Sequence, residues 1–249
     1  MLSNRQVKLL DFVIQQHVKT GEPVGSELIC EKGGFDVSPA TIRNEMVALE
    51  DMGYLAQPHT SAGRVPTDKA YRQFVNRLMD DHAYQVDTHA KRRIDYVLDQ
   101  AGNDPSALNH CVANVLAELT DSMVFTAIED QDDFFKVGLA SMFEFPEFRH
   151  VQRMTEMATF FDDFDRMFER IERAFFHDMA QPYQVEVRIG HENPMEEIRK
   201  QAVLVARYPL PQNLIGAVTI VGPTRMNYER NLGIVDYATE ALRKRAKQI

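Results

Sequence analysis

Apolar positions at the start of the chain recur at helical spacing. Val7, Leu10, Ile14 and Val18 fall on one stripe, with Ser3 placed to cap the helix and Gly21 to stop it after Thr20. Leu9 and Phe12 lie on another side and predict a second packing surface. The run Gly21 to Gly25 reads as a turn, and Ser26 is placed to cap a short helix from Glu27 to Lys32 that Gly33 and Gly34 break. Ser38 and Pro39 suit the cap and first position of a third helix. Its stripe is Ile42, Met46 and Leu49, and its stop is Gly53. Tyr54–Gln57 and Arg64–Val65 read as short strands around the polar turn Pro58–Gly63. Thr67 caps a fourth helix carrying Tyr71, Phe74, Val75, Leu78 and Met79 on one face.

Three short helices, the second and third tightly joined, form a helix-turn-helix pattern, and a hairpin directly after the third is a wing. On the third helix Asn44 points almost opposite the apolar stripe, with Ala40, Thr41, Val47 and Arg43 to either side. Small residues, a hydroxyl, an amide and a guanidinium near a helix N-terminus suit base edges and phosphates in a major groove. An ordinary amphipathic surface helix has the same stripe, so the wing that follows carries the argument. Ala40, Thr41, Arg43 and Asn44 are the expected base-facing residues. Ser26, Ser38, His59, Thr60, Ser61 and Arg64 are expected at phosphates, with Arg64 able to reach a minor groove. His59 has no second ligand at metal spacing, and a lone loop histidine is usually solvated.

The rest of the chain mixes helices and strands, an α+β pattern. Asp80-Asp81-His82 marks a linker, followed by a helix from about Val86 to Gln100, whose Lys91, Arg92 and Arg93 form a solvated or DNA-flanking face. Leu108, Cys111, Val112, Val115, Leu116 and Leu119 make the strongest helical stripe. Ser122–Ile128 reads as a strand, Asp130–Asp133 as an acidic loop without the glycine and distal glutamate of a calcium loop, and Phe134–Ser141 as a strand or an extended link. Two helices are expected between Pro146 and Phe176, carrying Phe148, Val151, Ala158 and Phe161, then Phe164, Phe168, Ile171 and Phe175, as core or as a dimer surface. Tyr183–Ile189, Gln201–Tyr208 and Leu214–Val221 read as strands, the last two antiparallel across Pro209–Asn213. A final helix carries Tyr228, Leu232, Val235, Ala238 and Leu242. The expected organisation is a DNA-binding domain over 1–80, a linker helix over 81–103 and a regulatory or dimerisation domain over 104–249.

Composition narrows the function. A 44% hydrophobic and 26% charged chain is that of a soluble globular protein. The longest apolar run, Leu214–Gly222, is too short to span a bilayer, and the start has no signal-like segment. Cys30 and Cys111 stand alone, so a reducing, cytoplasmic location is expected, with no metal. A net charge of −9 excludes general affinity for nucleic acid or membrane surfaces but permits a focused, salt-dependent contact to DNA. Motifs for a nucleophile elbow, a P-loop, a zinc site or a dinucleotide fold are lacking, so neither an enzyme nor a cofactor is expected. Two polar loops, Gly190–Pro194 and Gly222–Tyr228, read as turns. They also motivate an alternative: a ligand-sensing regulator whose C-terminal domain binds a small molecule and whose winged helix makes protein contacts.

Several stretches together resemble one family. Thr20-Gly-Glu-Pro-Val-Gly-Ser26, Val37-Ser-Pro-Ala-Thr-Ile-Arg-Asn44 and Gln57-Pro-His-Thr-Ser-Ala-Gly-Arg-Val-Pro-Thr67 resemble the N-terminal signature of HrcA, the bacterial heat-inducible transcription repressor. Gly138–Phe148, Val187–Asn193 and Gly216–Tyr228 resemble its C-terminal half. The resemblance implies a winged helix followed by a GAF-like α+β domain. It also implies a homodimer bound to an inverted-repeat operator upstream of chaperone operons, and the chaperonin GroEL as a partner that keeps the repressor active. Members of the family are usually longer. They carry an inserted dimerisation module between the helix corresponding to Ala107–Leu119 and the stretch Phe134–Phe148, where this chain has only Thr120–Asp133. The GAF-like domain is therefore expected in a reduced form.

Overall fold

A computed structural model describes residues 2–84, 86–131, 133–148, 150–176 and 184–247, with the backbone alone over 165–176. Two compact units emerge, one of residues 1–83 with 224–227, the other of 84–223 with 228–249.

The first unit opens with α1 (Asn4–Thr20). The Ser3 hydroxyl accepts the Gln6 N–H at 3.3 Å while the Gln6 side chain accepts the Ser3 N–H at 3.0 Å, a reciprocal cap. Leu9 and Val13 are as fully buried as Leu10 and Ile14, so the second packing surface of this helix is real, and Phe12 is half-buried. Helix α2 (Ser26–Lys32) starts one residue before the sequence-based expectation: Gly25 is its cap, and Ser26 lies inside the helix. The cause is the preceding residue. Val24 is pinned in extended form by exchanging both backbone bonds with Arg64 at 2.9 Å, and the helix begins as the chain leaves that bridge. Helix α3 (Pro39–Asp51) is capped by Ser38, whose hydroxyl accepts the Thr41 N–H at 3.2 Å. Gly53, at φ +76°, ends it, and the Tyr54 N–H reaches back to the Leu49 carbonyl at 2.9 Å. Strands β1 (Leu55–Ala56) and β2 (Val65–Pro66) pair antiparallel, and α4 (Asp68–Asp80) follows the Thr67 cap. Ile29, Ile42, Leu49, Leu55 and Val75 fill the core, each such side chain worth about 1.5–3 kcal/mol of burial.

The second unit begins with α5 (Thr88–Ala101), capped by Asp87, and α6 (Pro105–Thr120), capped by Asp104. Strands β3 (Met123–Ile128) and β4 (Asp133–Val137) form a hairpin, after which the chain turns into the short α7 (Leu139–Met142) rather than continuing extended. Then come α8 (Val151–Phe176), β5 (Glu186–Ile189), β6 (Gln201–Pro209), β7 (Ile215–Pro223) and α9 (Tyr228–Ala246). The sheet is antiparallel throughout in the order β4-β3-β7-β6-β5. Alternation splits each strand between two faces. Phe125, Val203, Val205 and Val221 meet Met157, Phe160 and Phe164 of α8. Thr126 and Tyr208 point the other way and hydrogen-bond to Asn109 of α6. A winged helix-turn-helix followed by a GAF-like α+β unit is the architecture.

One helix, not two, runs from Val151 to Phe176. No glycine or proline interrupts those residues, so Asp162 and Asp163 continue the helix instead of breaking it. Its buried face is Met157, Phe160 and Phe164, which turns Val151 into solvent at 77% exposure and corrects its place in the core stripe. The side chains of Phe168, Ile171 and Phe175, and the whole of Tyr183, lie outside the described residues.

Beneath α6 a polar pair is sealed in the apolar interior. The Tyr208 hydroxyl donates to the Asn109 Oδ1 at 2.6 Å, with both residues fully buried. Gly216 makes room for the ring: a β-carbon there would sit 2.1 Å from the Tyr208 ring. Burial pushes the Tyr208 phenol far above its ordinary 10.0. Tyr208→Phe strands the amide oxygen and is expected to cost about 1–3 kcal/mol in urea unfolding. The unfolded phenol ionises above about pH 10 while the folded one keeps its proton. Wild-type stability therefore falls there by up to about 1.4 kcal/mol per pH unit relative to Tyr208→Phe, a difference that paired melts at pH 9 to 11 will read.

Candidate nucleic-acid interface

The outer face of α3 is built by what its inner face buries. Ile42, Met46 and Leu49 are 0–3% exposed, which fixes the rotation of the helix and turns Ala40, Arg43 and Asn44 outward, all exposed. Thr41 is half-buried, its hydroxyl 3.0 Å from that of Ser38, so these two oxygens serve the helix cap. Val47 shares the outer face at 41% exposure, one turn beyond Arg43.

The wing is held by backbone bonds, one amide and one ion pair. Gln57 donates from its Nε2 to the carbonyls of Thr60 and Ala62, each at 3.0 Å, and so shapes the turn. His59, Thr60 and Ser61 are exposed at its tip. Gly63 packs flat on the turn before α2: a β-carbon there would lie 2.4 Å from the carbonyl carbon and oxygen of Val24. Arg64 is not an outward finger. Its Nε donates to Glu50 Oε2 of α3 at 2.8 Å, and its side chain is 14% exposed.

Helix and wing enclose an open cleft of about 430 Å³. Of the expected contact residues, Ser26, Arg43, Thr60, Ser61 and Arg64 line it together, beside Val47 and Gln57. Ser38, Ala40, Thr41, Asn44 and His59 stand outside its lining. Val47 and Gln57 are among the lining residues that sequence reasoning did not place among the contacts, as are Glu27 and Met46. The exposed aliphatic side chain on an otherwise polar face was the available signal for Val47.

Charge on this surface is arranged by pairing. Arg5 forms an ion pair with Glu45, and Arg64 with Glu50, so two carboxylates of α3 face arginines of the same unit. Arg43 adds a guanidinium on the outward face. The polar loops of the C-terminal half serve structure. Asn193 Nδ2 donates to the carbonyls of Gly190, Ile198 and Gln201, and Glu192 accepts the Ile189 N–H at 2.8 Å. Arg225, 6% exposed and grouped with the first unit, donates to the Val18 carbonyl at 3.0 Å. Among the described residues no helix is long and apolar enough to cross a membrane, and no cluster of three metal-ligating side chains occurs.

A helix-turn-helix whose third helix shares a cleft with a wing defines a winged-helix DNA-binding regulator. Residues 1–80 match the family model described as winged helix-turn-helix transcription repressor, HrcA DNA-binding, and residues 63–232 match that of the HrcA protein C terminal domain. The chain belongs to the HrcA family.

Its relatives include the heat-inducible transcription repressor HrcA of Halalkalibacterium halodurans, 24% identical with 98% of this chain and 97% of the relative covered. That of Thermodesulfovibrio yellowstonii is 25% identical with 97% of each covered. That of Streptomyces albus G is 52% identical over 101 residues, 41% of this chain and 29% of the relative. The first alignment runs over 341 positions against 249 residues here, so at least 92 positions have no residue of this chain opposite them. Among solved structures, a crystal structure described as that of a hypothetical protein superposes with a TM-score of 0.79 at 19% identity, covering 100% of this chain and 99% of the other, a likeness of fold.

The close approach at Gly63 gives a test of how the wing is held. Gly63→Ala must push the wing off Val24, and it is expected to destabilise the first unit by about 1–3 kcal/mol, read as an earlier urea transition. Gly25→Ala has open space around it and an ordinary φ of −89°, and it serves as the control.

Proposed function

We propose that this chain represses heat-shock genes by binding, as a homodimer, an inverted-repeat operator upstream of chaperone operons. The observation that carries the reading is the outer face of α3 set beside the wing around one cleft. Family membership supports it: relatives that align over nearly their whole length are named heat-inducible transcription repressors. In this reading Ala40, Arg43 and Asn44 meet base edges, with Thr41 beside them. Ser26, Ser38, His59, Thr60 and Ser61 sit near phosphates. Arg64, tied to Glu50, sets the wing against α3 and offers its remaining N–H groups to the backbone of the DNA. Residues 1–80 are the DNA-binding domain, 81–103 the linking helix, and 104–249 the regulatory and dimerising domain. The site of action is the cytoplasm, and GroEL is the partner that would keep the repressor active.

A mobility shift on an inverted-repeat duplex from a chaperone-gene promoter tests the reading. The chain is expected to bind it at least about 10³-fold tighter than a scrambled duplex at physiological salt. Equal binding to both would overturn specific repression. Arg43→Ala is expected to weaken binding and to reduce the slope of log affinity against log salt by about 1 if Arg43 meets a phosphate. If it reads a guanine instead, the slope stays and affinity drops by about 1–3 kcal/mol at one base pair.

Val47 adds a second measurable contact. An exposed valine one turn from the arginine suits a thymine methyl group. Replacing that thymine by deoxyuridine is expected to weaken wild-type binding about fourfold, the worth of one buried methyl group, and to leave Val47→Ala unaffected. Scanning each thymine of the operator in both proteins reads the coupling.

A further inference from the structure

The second unit has a cleft of its own, which shares no lining residue with the candidate nucleic-acid interface. It has a volume of about 780 Å³, within the range of small-molecule sites, and lies between α8 and the segment leading into β6. Phe160 and Gln201 form its floor, 3% and 4% exposed. Gln201 is the unusual residue. It is the first of an alternating series on β6, sharing a sheet face with Val203 and Val205, both of which pack into the apolar cluster under α8. An amide at the end of that series, buried to 96%, calls for a partner. The backbone carbonyl of Gln201 is taken by Asn193, but its side-chain amide has no hydrogen-bond partner among the described residues, and it lines the cleft.

The walls say what would satisfy it. Glu156 and Asp163 on α8 face Glu196 and Glu197 across the opening; Lys200 also lines it, and Glu196 is paired with Arg199 at 3.4 Å, which leaves Glu156 and Glu197 as the principal carboxylates of the two walls. Carboxylates on both walls above an aromatic and amide floor suit a flexible organic cation with more than one ammonium group: each wall takes an ammonium, the methylenes lie over Phe160, and the Gln201 carbonyl accepts an N–H. A phosphate or carboxylate ligand would meet a carboxylate on each wall. We infer that this cleft binds a small aliphatic polyamine.

The test is calorimetric titration of spermidine into the nucleic-acid-free full-length chain, with Mg²⁺ at matched ionic strength as comparator and thermal shift in parallel. One site with a dissociation constant below about 1 mM is expected. Glu156→Gln and Glu197→Gln, both on the exposed rim, should each weaken it about two- to fivefold, as one screened charge does. Gln201→Leu should weaken it about five- to tenfold. If that variant melts early, the two rim variants decide. Absence of binding at several millimolar spermidine, equal binding by the rim variants, or the same response to Mg²⁺ would each overturn the inference. Operator binding by the first unit is unaffected by any of these outcomes.

Discussion

The winged unit depends on one backbone exchange. Val24 and Arg64, forty residues apart in sequence, give each other both N–H···O bonds at 2.9 Å. That bridge fastens the wing to the turn before α2. It holds Gly63 against the Val24 carbonyl, and it delivers the Arg64 guanidinium to Glu50 on α3. The position of the wing is thus set by main-chain geometry and one ion pair rather than by an apolar core of its own. A two-residue strand pair is too short to be stable alone. Removing the bridge would leave the Arg64–Glu50 pair as the tie from the returning strand to α3.

Much of this unit was legible in the sequence because its signals are local. Ser3, Ser38 and Thr67 cap the helices as their positions predict, and the stripes of α1, α3 and α4 bury as spaced. Ser26 failed as a cap because the decisive contact, Val24 to Arg64, is non-local and made of backbone, which no side-chain pattern reports. Arg64 is the same lesson at the candidate interface. Its place after a polar turn suggests an outward cation, yet Glu50 lies fourteen positions earlier on a neighbouring helix and draws it inward. The apolar Val47 was visible on the helical face but carries no chemistry that a motif search would select.

In the second unit the strands were legible from alternation and the helices less so. The spacing of the phenylalanines in the α8 region predicts two helices. In the fold one continuous helix chooses Met157, Phe160 and Phe164 and leaves Val151 outside. Which of several apolar stripes is buried depends on the sheet they meet, and Phe125 stacks on Phe164 with centroids 3.6 Å apart. Gln201 looked like the start of a strand. Only its place on the α8 face shows a buried amide on the floor of a cleft.

The order of strands also sets a schedule. The wing closes over contacts made within the first 80 residues or so, whereas β3 must wait for β7, whose residues 215–223 follow Met123–Ile128 only after a long stretch of chain. At roughly 5–20 residues per second of synthesis, that interval lasts about 5–20 seconds. Until β7 emerges, the β3 edge that it later covers stays open as well as the β4 edge, and β3 is a strand whose side chains are all destined for burial.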